Sequence, residues 1–151
     1  MLDKDTFINI VRNTPLVSID LIIENQAGEI LLGKRNNKPA KGYWFVPGGR
    51  IIKNETIEKA FQRISSTELG AAMKIQQASF KGVYEHLYDQ NFSEDDSFGT
   101  HYVVLAYHLK INDSTVFRTE SQHESFIWKT KEELLKDSDV HQYTKNYFIL
   151  K

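Results

Sequence analysis

The chain has 151 residues, of which 40% are hydrophobic and 26% charged, a size and composition that predict a single domain over residues 1–151 with one hydrophobic core. Its formal net charge of −1 gives no overall attraction to nucleic acid or to an anionic membrane, so neither partner is expected and any anion site must be built from local basic residues. The absence of cysteine excludes disulfides, thiol nucleophiles and thiolate metal sites, so metal ligands must be oxygen or imidazole nitrogen.

The N-terminal segment predicts a short amphipathic helix. Asp3 or Asp5 can cap this helix at its start. Its apolar side chains share one face and are Phe7, Ile10 and Val11. The segment lacks the basic and apolar regions of a signal peptide, and no apolar run in the chain reaches the roughly 20 residues that cross a membrane. A cytoplasmic protein is therefore expected.

A β-hairpin is predicted after this helix. Residues 17–24 are rich in β-branched side chains, residues 26–28 have the composition of a turn, and residues 30–32 resume the apolar run. Asp20 interrupts the first strand with a charge, which makes it a candidate for a role other than packing.

A loop and an aromatic segment follow the hairpin. Residues 36–42 are polar and contain one proline, and residues 43–49 predict an aromatic strand that ends in a glycine turn at Gly48 and Gly49. A glycine turn of this kind would bring the backbone close to a ligand.

The clearest predicted helix covers residues 55–69, and Gly70 fits its C-terminal stop. Its apolar positions follow helical spacing and are Ile57, Ala60, Phe61 and Ile64. Glu68 lies 11 positions after Ile57, which returns it to within about 20° of that residue around the helix, so a carboxylate points along the apolar stripe. Its position in the last turn is also opposed by the helix dipole. Two interpretations stay open: a side chain whose head reaches water or Arg63, and a metal ligand at the edge of the core.

The rest of the chain alternates predicted strands and helices. Strands are predicted at residues 80–86, 101–110 and 126–128, with an acidic loop at residues 88–99. Thr130 and Glu133 form a capping box for a helix over residues 131–135, and a last helix is predicted over residues 140–149. The sequence therefore predicts an α+β architecture with a mixed sheet between helices.

One motif links the loop and the long helix. Gly49, Glu55, Arg63, Glu68 and Gly70 keep the spacing of the Nudix signature GX₅EX₇REUXEEXGU, and the segment resembles that family. The resemblance implies the Nudix fold, an α/β/α sandwich with a central mixed sheet, in which a loop, helix and loop hold Mg²⁺ against a diphosphate. It also gives Glu55 and Arg63 a supporting structural role, with Arg63 paired to Glu55 or to Glu68.

The motif departs from the signature at two of its carboxylates. Ile64 stands where the glutamate after the motif arginine is expected, and Thr67 replaces the first glutamate of the pair, so Glu68 alone remains. These departures are similar to those of the GDP-mannose mannosyl hydrolase branch of the family. Segments elsewhere in the chain also resemble that branch, and they are residues 14–18, 32–35, 42–50, 100–105 and 122–123.

Membership of that branch implies hydrolysis of GDP-mannose, and of GDP-glucose, to GDP and the free sugar by water attack at the anomeric carbon with inversion. One Mg²⁺ ion is expected, with Mn²⁺ as a substitute. The implied ligands are the carbonyl of Gly48 and the side chains of Glu68 and Gln122. His123 is implied as the general base, a role that suits an imidazole with a pKa near ~6.5.

The resemblance also implies further contacts with the substrate. Arg35 and Arg50 would stabilise the leaving diphosphate, and Asp20 would contact the sugar or orient the diphosphate. Two other residues, His86 and Tyr102, match positions near the phosphates and the sugar, although both could equally be half-buried strand residues with a satisfied polar tip. Phe7 would stack on guanine, although a phenylalanine on an amphipathic helix is also a common core residue.

Two other functions stay open at this stage. A Nudix diphosphatase would attack phosphorus to give GMP and a sugar phosphate, and a nucleotide-sugar sensor would bind without turnover. The losses at Ile64 and Thr67 speak against the first, and His123, Arg35 and Arg50 speak against the second. The family resemblance further implies a homodimer and a role in surface-polysaccharide metabolism.

Overall fold

A computed structural model of the chain describes residues 2–112, 117 and 123–149. The elements in chain order are α1 (Lys4–Asn13), β1 (Leu16–Glu24), β2 (Glu29–Arg35), β3 (Trp44–Phe45), β4 (Gly48–Arg50), α2 (Ile57–Leu69), β5 (Ser79–Tyr88), β6 (Thr100–Lys110), β7 (His123–Thr130), α3 (Lys131–Lys136) and α4 (Gln142–Ile149). A short 3₁₀ turn at Ile75–Gln77 was not predicted. Among the described residues, no helix is both long enough and apolar enough to cross a membrane.

The strands form one seven-stranded sheet in the order β3-β2-β1-β6-β5, with β4 added beside β1 and β7 beside β2. The β1–β6 pair is parallel, whereas the β1–β2, β1–β4, β2–β3, β2–β7 and β5–β6 pairs are antiparallel. The sheet is therefore mixed, as predicted.

Alternate residues of β1 and β2 supply two core clusters, one on each face of this sheet, so the prediction of one core was wrong. Ile19, Leu21 and Ile23 pack with the buried face of α2, because successive side chains of a strand point to opposite faces. On the other face, Ile22 packs with residues of α3 and α4 such as Leu134 and Tyr147. Helices thus cover both faces of the sheet, and the predicted α/β/α sandwich of the Nudix fold is confirmed.

Several local predictions are confirmed by the helix caps. The Asp3 carboxylate accepts a hydrogen bond of 2.8 Å from the Thr6 N–H and caps α1. Thr130 and Glu133 form the predicted capping box of α3. The last helix begins at Gln142, two residues after the predicted start.

Helix α2 follows the motif closely but starts two residues later than predicted. Thr56 caps it by accepting a hydrogen bond from the Lys59 N–H, so Glu55 lies before the helix, and Gly70 ends it with a φ of 71°. Glu68 is buried, with 7% of its surface exposed, as its position on the apolar stripe predicts. Ile57 is 45% exposed, so its assignment to the buried stripe was wrong. Ile57 points to the same side of the helix as the buried residues, but it is the first residue of α2, where the side chain stays partly in solvent.

The predicted glycine turn was also wrong, because Gly48 and Gly49 are residues of strand β4. Asp20 lies opposite Gly48, and Ile19 lies opposite Gly49, in antiparallel register. A Cβ atom on Gly48 would lie 2.2 Å from the Asp20 Oδ1 atom and 2.6 Å from the Ile19 carbonyl oxygen. Glycine is therefore needed here for a close approach of two strands rather than for a turn.

Candidate active site

A cleft of about 920 Å³ opens where α1, the loop after β2, strand β4 and the end of α2 meet. Nine of the twelve residues that the sequence singled out line it, and they are Phe7, Asp20, Arg35, Gly48, Arg50, Arg63, Glu68, His86 and Tyr102. Glu55 lies just outside this lining and supports it through Arg63. The volume is in the range of pockets that hold drug-sized or nucleotide-sized ligands.

Two of the predicted site residues fall at the border of the described chain. Gln122 lies outside the described residues, and so does the side chain of His123. The backbone of His123 begins β7 and pairs with that of Arg35 on β2, next to a shift in the strand register. Arg35 lines the cleft, so the backbone at the start of β7 is paired with a residue of the cleft.

Strand β4 directs a backbone carbonyl toward the cleft side of the sheet edge. The Leu21 N–H donates to the Pro47 carbonyl, and the Ile51 N–H donates to the Val17 carbonyl, both at 2.8 Å. In antiparallel pairing, alternate residues make these bonds, so the carbonyls of Gly48 and Arg50 point away from β1. The Arg50 carbonyl accepts a hydrogen bond of 2.8 Å from Arg63.

The oxygen atoms around this edge are of the kind that bind a small hard cation. Glu68 contributes a carboxylate that is buried against the helix stripe, and both Gly48 and Glu68 line the cleft. Within the described part of the chain, no group of three or more histidine or acidic side chains converges to hold a metal. Mg²⁺ takes oxygen ligands and keeps water or phosphate in its remaining positions, so one carboxylate with neutral oxygens suits a single ion.

Arg63 braces the loop between β4 and α2. Its guanidinium donates to both carboxylate oxygens of Glu55, at 2.6 and 3.0 Å, so of its two expected partners the structure shows Glu55. Glu55 also accepts a hydrogen bond of 3.0 Å from the Ile52 N–H. The hydrogen bond from Arg63 is the main cause that lowers the pKa of Glu55. This bidentate pair ties the start of α2 to the Arg50 backbone and so fixes the cleft wall.

Positively charged side chains also line the cleft. The Arg50 guanidinium lies 4.9 Å from the centre of the Phe7 ring, and that of Arg35 lies 5.7 Å from the Phe45 ring. Lys38 and Lys41, in the loop after β2, also face the cleft and were not singled out from the sequence. Arginines held against aromatic rings keep their planar donors oriented, which suits recognition of phosphate.

Phe7 lies at the cleft rather than in the core. It is half-buried, and its ring lies 4.9 Å from that of Phe92, which comes from the loop between β5 and β6. Both phenylalanines line the cleft. Phe92 could not be singled out beforehand, because an aromatic residue in an acidic loop belongs to no periodic pattern.

Asp20 and His86 line the cleft and form a polar cluster with the buried Tyr147. The Tyr147 hydroxyl donates a short hydrogen bond to the Asp20 carboxylate and lies 3.4 Å from Nε2 of His86. Burial, followed by the positive charge of His141, lowers the pKa of His86 to about 4, so its imidazole is neutral near pH 7. Burial, followed by the Asp20 charge, raises the pKa of Tyr147 well above its ordinary value.

His86 and Tyr102 face each other across the β5–β6 pair, so both predicted substrate contacts lie at one position of the sheet. Burial is the main cause that raises the pKa of Tyr102. The Tyr88 ring lies 6.3 Å from that of Tyr102, and burial also raises the pKa of Tyr88. Both phenols therefore stay protonated and can donate hydrogen bonds to a ligand oxygen.

Comparisons of sequence and structure match this chain to the NUDIX family and to related hydrolases. The NUDIX domain family model matches residues 14–148. The low-salt glycan biosynthesis protein Agl8 of Haloferax volcanii is 44% identical over 115 residues, which are 76% of this chain and 70% of that protein. An ADP-ribose pyrophosphatase of Methanocaldococcus jannaschii is 43% identical over 70 residues, 46% of this chain and 40% of that protein. The crystal structure of a MutT NUDIX hydrolase from Burkholderia pseudomallei, 27% identical, matches with a TM-score of 0.72 over 91% of this chain and 98% of its own.

Proposed function

The chain belongs to the NUDIX domain family, and on that premise we propose that it hydrolyses GDP-mannose, and also GDP-glucose, to GDP and the free sugar. Nudix hydrolases generally use a divalent metal ion such as Mg²⁺. The proposal covers residues 1–151 as one catalytic domain. The 44% identity to a glycan biosynthesis protein supports a sugar-linked substrate and a place in polysaccharide metabolism.

The observation that carries the proposal is the number of carboxylates that α2 presents at the cleft. Glu68 is buried at the cleft, whereas Ile64 and Thr67, which also line it, stand where the Nudix signature has two more acids. Attack on phosphorus commonly uses several carboxylates to hold two or more ions and to activate water. One carboxylate suits a simpler task, which is to hold one ion against a diphosphate that leaves.

In the proposed reaction, the residues of the cleft have separate roles in the transfer of the sugar to water. Arg35 and Arg50 bind the phosphate oxygens and stabilise charge as the bond from the anomeric carbon to oxygen breaks. Gly48, Glu68 and Gln122 would hold Mg²⁺, which would supply positive charge at the same leaving group. His123 accepts the proton of the attacking water, whose oxygen forms the new bond to carbon with inversion. Asp20, His86 and Tyr102 orient the sugar and the diphosphate.

Product analysis tests this function directly. Incubation of the protein with GDP-mannose and Mg²⁺, followed by ³¹P NMR, is expected to show GDP, with β-mannose as the first anomer in the ¹H spectrum. GMP with mannose 1-phosphate would instead establish a diphosphatase, and unchanged substrate that still binds would establish a sensor. We further propose that the protein works as a homodimer, which sedimentation at micromolar concentration checks.

A further inference from the structure

We infer that Tyr147, on the C-terminal helix α4, is a positioning residue of the cleft whose hydroxyl holds Asp20 and His86 in one hydrogen-bond chain. The inference rests on the proposed function, in which Asp20 and His86 contact the substrate. It adds a residue that touches no ligand itself and that the sequence motif does not contain.

The hydroxyl of Tyr147 is shared between two cleft residues from different strands. It donates to Oδ2 of Asp20 on β1, and its oxygen lies 3.4 Å from Nε2 of His86 on β5. Tyr147 itself is 0% exposed, and its ring meets that of Tyr84 edge-on with centroids 4.7 Å apart. A phenylalanine would fill the same volume in this core. The hydroxyl, which costs free energy to bury, is satisfied by residues of the cleft.

The chain of hydrogen bonds has one direction. Burial and the nearby Asp20 charge raise the pKa of Tyr147, so its proton stays on the hydroxyl and points to the carboxylate. The phenol oxygen can then only accept from His86, which requires the proton of the neutral imidazole to sit on Nε2. The opposite ring nitrogen, Nδ1, is left as an acceptor.

Anchoring of Asp20 by Tyr147 also fixes where the second carboxylate oxygen lies. Oδ1 of Asp20 occupies the space directly beside Gly48, where a Cβ atom would lie only 2.2 Å away. Loss of the hydrogen bond at Oδ2 would remove one restraint on this carboxylate, next to a residue that has no side chain to replace it. Tyr147 therefore helps to orient Asp20 relative to the strand that carries the proposed metal-binding carbonyl.

The experiment compares Tyr147→Phe with Tyr143→Phe. Tyr143 is the matched control, because its hydroxyl bonds only backbone in the described structure, the Leu87 carbonyl at 2.7 Å and the Leu87 N–H at 3.0 Å. Its ring also stacks on His86 with centroids 4.4 Å apart. For Tyr147→Phe we expect kcat for GDP-mannose to fall by about 10- to 100-fold with KM within about 2-fold, since misplaced groups cost turnover more than binding. For Tyr143→Phe both constants are expected to stay within about 2-fold of wild type.

A spectroscopic readout separates this inference from the proposed function. In ¹⁵N NMR of the folded protein, His86 is expected as a single Nε2–H tautomer in wild type and in Tyr143→Phe, and as a mixture in Tyr147→Phe. A wild type that does not hydrolyse GDP-mannose would end the proposed function, and the tautomer of His86 would still decide the inference. An Nδ1–H tautomer in wild type, or an unchanged tautomer in Tyr147→Phe, would overturn it. If Tyr147→Phe failed to fold, Asp20→Ala would take its place, because it removes the acceptor of the Tyr147 hydroxyl, and an unchanged His86 tautomer in that variant would likewise overturn the inference.

Discussion

Replacement of Gly48 by alanine is expected to destabilise the fold and to reduce turnover sharply, although alanine keeps the carbonyl that is proposed to bind metal. The added Cβ would lie 2.2 Å from Oδ1 of Asp20 and 2.6 Å from the backbone oxygen of Ile19, both inside the 3.0 Å that such contacts respect. Asp20 is held by Tyr147, and the Ile19 oxygen belongs to the central strand. Relief must therefore come from separation of β4 from β1.

The size of the loss in stability depends on whether the added Cβ atom contacts backbone or a movable side chain. An overpacked core site costs about 1–3 kcal/mol, and contact with immobile backbone places Gly48→Ala near the upper end. For a domain of this length, that loss corresponds to a fall in Tm of roughly 4–12 °C. Gly49→Ala is the matched control, since its Cβ would lie 3.1 Å from the Ile64 side chain, a smaller overlap that involves side-chain rather than backbone atoms.

Urea unfolding followed by fluorescence of the two tryptophans measures the stability of both variants, and GDP release measures turnover. We expect Gly48→Ala to lose at least about 1 kcal/mol more than Gly49→Ala, in line with the usual cost of overpacking. A Gly48→Ala protein as stable and as active as wild type would refute the close approach of β4 to Asp20.

Further expected outcomes concern the titrating groups and the proposed machinery. Because the pKa of Glu55 is lowered in the fold, its pairing with Arg63 stabilises the protein above pH 4.5 and is lost as the pH falls, so in urea melts the difference between wild type and Glu55→Gln should shrink from pH 7 to pH 3. His86 has a pKa of 6.5 in the unfolded chain and of about 4 in the fold, so the unfolded chain takes up a proton first as the pH falls. The free energy of unfolding should therefore decrease by on the order of 3 kcal/mol from pH 6.5 to pH 4. His86→Phe should lack this part of the decrease in urea melts. Glu68→Gln should raise the Mg²⁺ concentration needed for half-maximal rate and lower the rate itself; an unchanged Mg²⁺ requirement would exclude Glu68 as a ligand. His123→Ala should lower kcat by about 10²- to 10⁴-fold with little change in binding, and near-full kcat would place the base elsewhere.

The sequence predicts best those features that depend on neighbouring residues. Helix α2 shows its spacing, its Gly70 stop and the inward direction of Glu68 within fifteen or so positions, so periodicity suffices. The capping box of Thr130 and Glu133 is likewise readable, because it involves two residues three apart. The same reasoning fails at Ile57, since the direction around a helix does not say where along the axis the sheet ends.

Features that depend on distant parts of the chain could not be predicted in the same way. Gly48 and Gly49 look like a turn until β1 is seen beside them, because the demand for glycine comes from the Asp20 side chain rather than from φ. Tyr147 follows Asp20 by 127 positions, and its pattern within α4 is that of an ordinary core residue. Only packing of α4 on the sheet shows that its hydroxyl meets a charge at the cleft.

Hydrolysis of GDP-mannose in water enriched in ¹⁸O tests the central claim, which is attack on carbon rather than phosphorus. Mass spectrometry of the products from a single incubation with Mg²⁺ reads the position of the label. The proposed chemistry predicts the heavy oxygen in mannose and none in the nucleotide. Label in a phosphate of the products, with mannose unlabelled, would contradict it.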